Sequence, residues 1–333
     1  MLGSCPLNWK SKSVLVTGAG GFIGSHLAEA LARTGAKTRA LIRYNSQGRK
    51  GWLEQSDLKA DIEVIWGDIR EADSVKNALR GVDVVFHLAA LIGIPYSYVS
   101  PSSYVSTNIV GTLNVLQESL RQGVSQVVHT STSEVYGTAQ RVPITEDHPL
   151  HAQSPYSATK IAADKLAESF HRSFGLPISI VRPFNTYGPR QSARAVIPTI
   201  MMQALANEPI RIGNLAPTRD FSYVSDTVRG FLHIAGSDKA IGRVVNLGAG
   251  KEISIGDLAQ MICSLTGVEF RVVHEIDRVR PAQSEVERLC AGTILAEELT
   301  KWRPEVALRE GLENTLAWIR SNQANYQTET YAI

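Results

Sequence analysis

A chain of 333 residues, 44% apolar and 20% charged, is too apolar and too balanced to be disordered, and long enough to bury one large core or two unequal ones. Its formal net charge of +2 offers no footprint for nucleic acid or an anionic membrane, and the basic cluster at residues 39–50 reads as a solvated loop or a local phosphate contact. Three cysteines, Cys5, Cys263 and Cys290, are too few and too scattered for a disulfide framework or a zinc site, and no stretch reaches about 18 uninterrupted apolar residues or forms a signal pattern, so the expected compartment is the cytoplasm.

Short β-branched runs recur at residues 14–16, 38–42, 64–66, 82–87, 126–130 and 178–181, each followed by helical periodicity. Strands alternating with helices predict an α/β fold, a Rossmann-type doubly wound parallel sheet. After about Asn185 the rhythm breaks at Pro189, Pro198, Pro209 and Pro217, and a strand-like run returns at 243–247. We therefore expect a dinucleotide-binding domain from residues 10–185 and 222–250. Residues 186–221 and 251–320 are expected to form a smaller C-terminal α/β substrate-binding lobe.

Directly after the first strand comes Thr17-Gly18-Ala19-Gly20-Gly21-Phe22-Ile23-Gly24, opening a helix expected over 25–33. Gly18, Gly21 and Gly24 allow a tight turn and close backbone approach to a pyrophosphate, whose charge the helix amides receive; Phe22 and Ile23 line the same turn. A nucleotide P-loop would need a Lys-Ser/Thr pair, whereas Ser25-His26 follows. At the end of the second strand no acidic residue occurs between Glu29 and Glu54. Arg43, with Asn45 and Ser46, forms instead a donor set suited to a 2′-phosphate, predicting NADP with NAD as the alternative; Arg43 could otherwise stack on adenine or face water. Asp68 and Ile69 after the third strand are expected to flank the adenine, and Leu88, Ala89 and Ala90 after the fourth to line the cofactor crevice.

In Tyr156-Ser157-Ala158-Thr159-Lys160 a lysine stands four residues beyond a tyrosine, on the same helix face. A phenol that acts as a base near neutrality needs a nearby cation, and Lys160 can also hold the nicotinamide ribose. Upstream lies Thr130-Ser131-Thr132-Ser133-Glu134-Val135-Tyr136-Gly137, and downstream Arg182-Pro183-Phe184-Asn185-Thr186-Tyr187-Gly188-Pro189. With the glycine loop, these segments resemble the extended short-chain dehydrogenase/reductases that act on nucleotide sugars. The likeness extends to Trp302-Arg303-Pro304 and Glu310-Gly311-Leu312 near the end of the chain.

That resemblance implies that Thr132 grips the sugar 4-hydroxyl and that Tyr156 takes its proton as hydride leaves for a tightly bound, recycled cofactor. It also implies that Glu134 removes the C5 proton once C4 is a ketone, with Ser133 assisting, which is 4,6-dehydration. Dehydratases of the deoxythymidine-linked type carry Asp-Glu where this chain has Ser133-Glu134. The segments 91–96 and 191–198 look most like the N-acetylglucosamine-nucleotide 4,6-dehydratases of legionaminic-acid biosynthesis, so a UDP- or GDP-linked N-acetylglucosamine is the expected substrate. A 4-epimerase would leave Glu134 idle, and an oxidative decarboxylase of UDP-glucuronate would need a substrate carboxylate. Relatives grip the nucleotide diphosphate at positions matching Asn185, Arg219 and Arg280, although Arg219 could instead pair with Asp220; Tyr96 and Val196 are expected beside the substrate. No metal site is expected, His148 and His151 lacking further ligands. Relatives dimerise through a four-helix contact, here the helix near 103–121 and the one beginning near Tyr156, with Ala158, Ile161, Ala162, Lys165 and Leu166 on its face.

Overall fold

A computed structural model describes residues 8–275, 278 and 281–326. Its strands are β1 (Ser13–Thr17), β2 (Lys37–Ile42), β3 (Ile62–Trp66), β4 (Val84–His87), β5 (Gln126–Thr130), β6 (Ile178–Pro183), β7 (Asn185–Tyr187), β8 (Ile210–Ile212), β9 (Thr218–Tyr223), β10 (Val244–Leu247), β11 (Glu252–Ser254) and β12 (Val272–His274). The helices are α1 (Phe22–Arg33), α2 (Ala72–Ala78), α3 (Ile94–Val99), α4 (Pro101–Tyr104), α5 (Gly111–Arg121), α6 (Pro155–Phe174), α7 (Val196–Leu205), α8 (Val224–Ala235), α9 (Ile255–Thr266), α10 (Ile294–Thr300) and α11 (Leu308–Ser321). Seven parallel strands form the main sheet in the order β10-β6-β5-β4-β1-β2-β3. The strands are short apolar runs because both faces are covered. On one face Leu27, Leu31, Phe86 and Phe231 pack under α1 and α8; on the other Leu15, Val85, Val115, Val127 and Phe170 pack under α2, α5 and α6.

Strand order reverses between β1 and β4, so the crevice for a ligand opens at their carboxyl ends. Thr17 stands beside His87, and His87 beside His129, across three neighbouring strands at that edge. The helix after the glycine loop begins at Phe22, not at residue 25 as expected, with Gly21 at its N-cap. Gly21 has no side-chain hydroxyl or carboxylate to announce a cap, which is why the sequence placed the start one turn late.

The remaining chain packs a separate core from Tyr187, Ile197, Met201, Leu258, Ile262, Leu312 and Leu316. It holds a three-stranded sheet, β11-β9-β7, and the pair β12-β8. Among the described residues no helix is long and apolar enough to cross a membrane.

Candidate active site

At the crevice floor the glycine loop is shaped as its sequence requires. Gly18 has φ +70°, and a Cβ on Gly24 would stand 2.2 Å from Gly18 O, so the first turn of α1 presses against the loop only while both remain glycine. Gly21 N donates to Gly18 O at 3.1 Å. Phe22 and Ile23 start α1, half-buried against the core. The Thr17 hydroxyl accepts from Leu88 N and Ala89 N at 3.1 and 3.0 Å, leaving its proton for His87 Nδ1 at 2.9 Å. His87 Nε2 then donates to Thr112 Oγ1 at 3.0 Å, and Thr112 to Asn108 O. Burial holds this imidazole well below its ordinary pKa, in keeping with a neutral ring.

Asn108 lies in a π turn, Val105–Val110, that joins α4 to α5. Its side chain exchanges hydrogen bonds with Leu91 N and O, at 2.8 and 3.0 Å, and donates to Thr159 Oγ1 at 3.0 Å. The loop lining the crevice after β4 is thereby tied to the helix that carries Tyr156 and Lys160.

That helix, α6, begins in a capping box between Ser154 and Ser157, with Pro155 in its first turn, and ends at Gly175 in the left-handed conformation. Tyr156 and Lys160 occupy its first turns and are 7% and 4% exposed. Lys160 Nζ donates to Thr130 O at 2.7 Å. Burial pushes the Lys160 ammonium down to about 8, opposed by the nearby Asp164 charge. Burial pushes the Tyr156 phenol well above its usual range; a hydrogen bond with Thr132 favours the phenolate and the Glu134 charge opposes it. The sequence expectation was that Lys160 would make Tyr156 acidic. In the protein alone, burial works against the ionised phenol.

Thr132 caps the short 3-10 turn Ser133–Tyr136, its hydroxyl accepting from Glu134 N at 3.2 Å. Ser133 is buried and Glu134 half-exposed. Thr132, Glu134, Tyr156 and Lys160 therefore converge on one wall of the crevice.

The other sequence-designated residues are placed less uniformly. Arg43 and Ser46 are exposed, while the Asn45 side chain donates to Arg49 O at 2.8 Å and accepts from Arg49 N at 2.9 Å, closing its own loop. Asp68 is paired with Arg70 at 2.6 Å, and the Arg70 guanidinium, with a smaller push from Arg43, holds its carboxyl below the usual range. Ile69 is buried against Gly111, and Ala90 is half-buried. Tyr96 is 38% exposed, its ring 6.1 Å from Tyr104, which stands edge-on 6.3 Å from Tyr156. Asn185 opens β7 with its Oδ1 buried and without a hydrogen-bond partner among the described residues, and Val196 opens α7.

Arg219 does not pair with Asp220. It meets Glu285 at 3.1 Å and Thr218 O at 3.0 Å, while Asp220 accepts from Ala249 N, Gly250 N and Ala291 N at 2.7, 2.9 and 3.0 Å. Arg280 and Cys5 lie outside the described residues. Among the described residues no group of three or more His, Cys, Asp or Glu could hold a metal ion. Thr17 and Arg182 stand in the quoted motifs but were given no role there, and His87, Asn108 and Asp164 were not singled out from the sequence.

A family model described as GDP-mannose 4,6 dehydratase matches residues 15–315. The chain is 32% identical to a dTDP-glucose 4,6-dehydratase of Streptomyces antibioticus, over 94% of this chain and 93% of that one. It is 34% identical to a UDP-glucose 4-epimerase of Mycolicibacterium smegmatis, over 92% and 98%. The dTDP-glucose 4,6-dehydratase DesIV of Streptomyces venezuelae, solved with NAD and TYD bound, superposes with a TM-score of 0.85 at 30% identity, covering 94% of this chain and 98% of that one. The glycine loop on β1, the Tyr156/Lys160 pair on α6 and a match along nearly the whole chain lead to one conclusion: this protein belongs to the sugar-nucleotide dehydratase and epimerase family of the extended short-chain dehydrogenase/reductases.

Proposed function

We propose that the protein is a nucleotide-sugar 4,6-dehydratase that converts a UDP- or GDP-linked N-acetylglucosamine, or a related hexose, to its 4-keto-6-deoxy derivative. The observation that carries this reading is Glu134, a half-exposed carboxylate two residues beyond Thr132 and close enough to Tyr156 for its charge to act on the phenol. An epimerase has no task for a base there. Thr132 holds the sugar 4-hydroxyl, Tyr156 takes its proton, and Lys160 supplies positive charge from the next turn of α6. Glu134 removes the C5 proton, acidified by the adjacent ketone, and Ser133 or the protonated Glu134 assists departure of the C6 hydroxyl as water. The glycine loop and Lys160 would hold a nicotinamide, which would supply an acceptor for the C4 hydride able to return it to C6. In this reading Asn185 and Arg219 grip the diphosphate with Arg280, and Tyr96 and Val196 bound the sugar. Residues 10–185 with 222–250 bind the dinucleotide, and 186–221 with 251–320 bind the substrate.

The test uses UDP- and GDP-linked N-acetylglucosamine deuterated at C4. Dehydration delivers the label to C6 of a 4-keto-6-deoxy product. Label that remains at C4 in an inverted sugar would replace this reading with 4-epimerisation, and loss of carbon dioxide from a uronate would replace it with decarboxylation.

We infer NADP as the preferred, recycled cofactor from Arg43 and its loop, with NAD the alternative. We also infer a homodimer through the rod formed by α4, the π turn and α5, together with α6. Val105 and Val110 on that rod are 46% and 43% exposed, and Ala158 and Lys165 are exposed on α6 beside half-buried Ile161, Ala162 and Leu166. Light scattering should report twice the chain mass at micromolar concentration; a monomer overturns the assembly.

A further inference from the structure

Two buried charges that the proposed chemistry leaves unused lie beneath the catalytic turn. Asp164 stands one helical turn beyond Lys160 on α6, Arg182 near the end of β6, and they are 0% and 2% exposed. Arg182 donates to Asp164 Oδ2 from Nη2 at 2.9 Å and from Nε at 3.1 Å. The same oxygen accepts the Ser131 hydroxyl at 2.8 Å. From Nη1, Arg182 donates to the Tyr136 hydroxyl at 3.0 Å, and its guanidinium carbon stands 4.9 Å from the centroid of that ring. Tyr136 passes its own proton to Asn246 Oδ1 at 2.7 Å.

Ser131 and Tyr136 are the two ends of one short segment. Between them stand Thr132, Ser133, Glu134 and Val135, where the chain leaves β5 through the 3-10 turn Ser133–Tyr136 that Thr132 caps. The ion pair thus grips the turn at both ends, from an oxygen of Asp164 on one side and a nitrogen of Arg182 on the other. Burying two charges is costly, and a buried pair seldom stabilises more than well-packed apolar residues of the same volume. What such a pair can provide is a single geometry, because each partner has few ways to satisfy its remaining donors and acceptors. Reacting groups need that: displacement by about 1 Å can cost on the order of a hundredfold in rate.

We propose that Asp164 and Arg182 are positioning residues that hold Thr132 and Glu134 in register with Tyr156 through Ser131 and Tyr136. The inference rests on Thr132 and Tyr156 being reacting groups, but not on the dehydratase outcome. Oxidation at C4 begins dehydration, epimerisation and decarboxylation alike.

The experiment measures consumption of the nucleotide sugar by the holoenzyme, whichever product forms, together with the Kd for the nucleoside diphosphate. Ser131→Ala removes one strut and Tyr136→Phe the other, each leaves the hydrogen bonds between Asp164 and Arg182 in place, and the melting temperature of each variant checks that the fold is retained. Each variant should lose about tenfold to a hundredfold in kcat while the Kd stays within about twofold. The double variant should lose less than the product of the two single losses, because both struts hold one turn. A kcat within about twofold of the parent in both variants overturns the proposal, and so does a kcat that falls only in step with affinity or melting temperature. A product inverted at C4 would remove the dehydratase reading and leave this inference standing.

Discussion

The turn after β5 that carries the proposed reacting groups and the loop after β2 are built in opposite ways. Residues 130–136 are tied downward into buried groups: Ser131 to Asp164, Tyr136 to Arg182 and Asn246, and Thr130 O to Lys160. The loop from Arg43 to Lys50 is mostly exposed and bonded chiefly to itself through Asn45 and Arg49. Its firm attachments come later, where Trp52 N donates to Gly20 O at 3.1 Å and the Trp52 ring stands 5.3 Å from Trp318 on α11. Groups assigned to bond breaking are thus tied to buried partners on α6, β6 and β10. Those assigned to cofactor choice sit where a substitution disturbs little else.

The sharpest way to break this contrast is at the turn. Glu134→Gln keeps the shape and the Thr132 cap, since the bond to Thr132 comes from the backbone nitrogen. The variant should fold, bind cofactor and still oxidise C4 in a single turnover, while formation of the 4-keto-6-deoxy product falls on the order of a hundredfold or more. Undiminished product formation, followed by mass spectrometry, would show that the turn is rigid for a reason other than proton removal at C5.

Lys160 extends the contrast into stability. Its folded pKa of about 8 lies below the ordinary 10.5 because the ammonium is buried. Below about 8 both folded and unfolded chains hold the proton, and the folded state bears the full cost. Between about 8 and 10.5 the unfolded chain holds a proton that the folded chain has shed, so stability rises with pH. The whole effect is about 3 kcal/mol. In urea unfolding, the stability of the parent relative to Lys160→Met should therefore rise by that order across this range, other groups cancelling in the difference. A difference flat in pH would mean that Lys160 is better solvated than its burial indicates.

Much of this architecture was legible in the sequence, because its signals are local. A short β-branched run marks each strand of the main sheet, and the spacings Gly18-Gly21-Gly24 and Tyr156-Lys160 need only a few consecutive residues. The start of α1 was misplaced because glycine caps it through backbone alone. The bracket around the turn was invisible, since its partners are far apart in the chain: Ser131 and Asp164, Arg182 and Tyr136, Tyr136 and Asn246. Arg219 was misread in its alternative for a related reason. Asp220 is its neighbour in the chain but turns to three backbone amides, while Glu285 arrives from 66 residues further along the chain.

The smallest expected effect falls on the exposed loop. Arg43 projects from the end of β2, where a ribose-recognising side chain stands in a doubly wound sheet, and no carboxylate occurs there to accept a 2′-hydroxyl. A guanidinium gains a charge-assisted bond to a 2′-phosphate and nothing comparable from a hydroxyl. Because Arg43 is exposed, water and salt screen that gain, so Arg43→Ala should weaken NADP by only about tenfold and NAD by less than about threefold. The NADP loss should shrink as ionic strength rises, and the melting temperature should stay put, since no packing depends on the side chain. Calorimetric titration of the stripped enzyme with both dinucleotides decides the matter. If the parent binds NAD more tightly than NADP, Arg43 does not read the ribose. A large drop in melting temperature on substitution would instead show that this loop is bound to the fold as firmly as the catalytic turn.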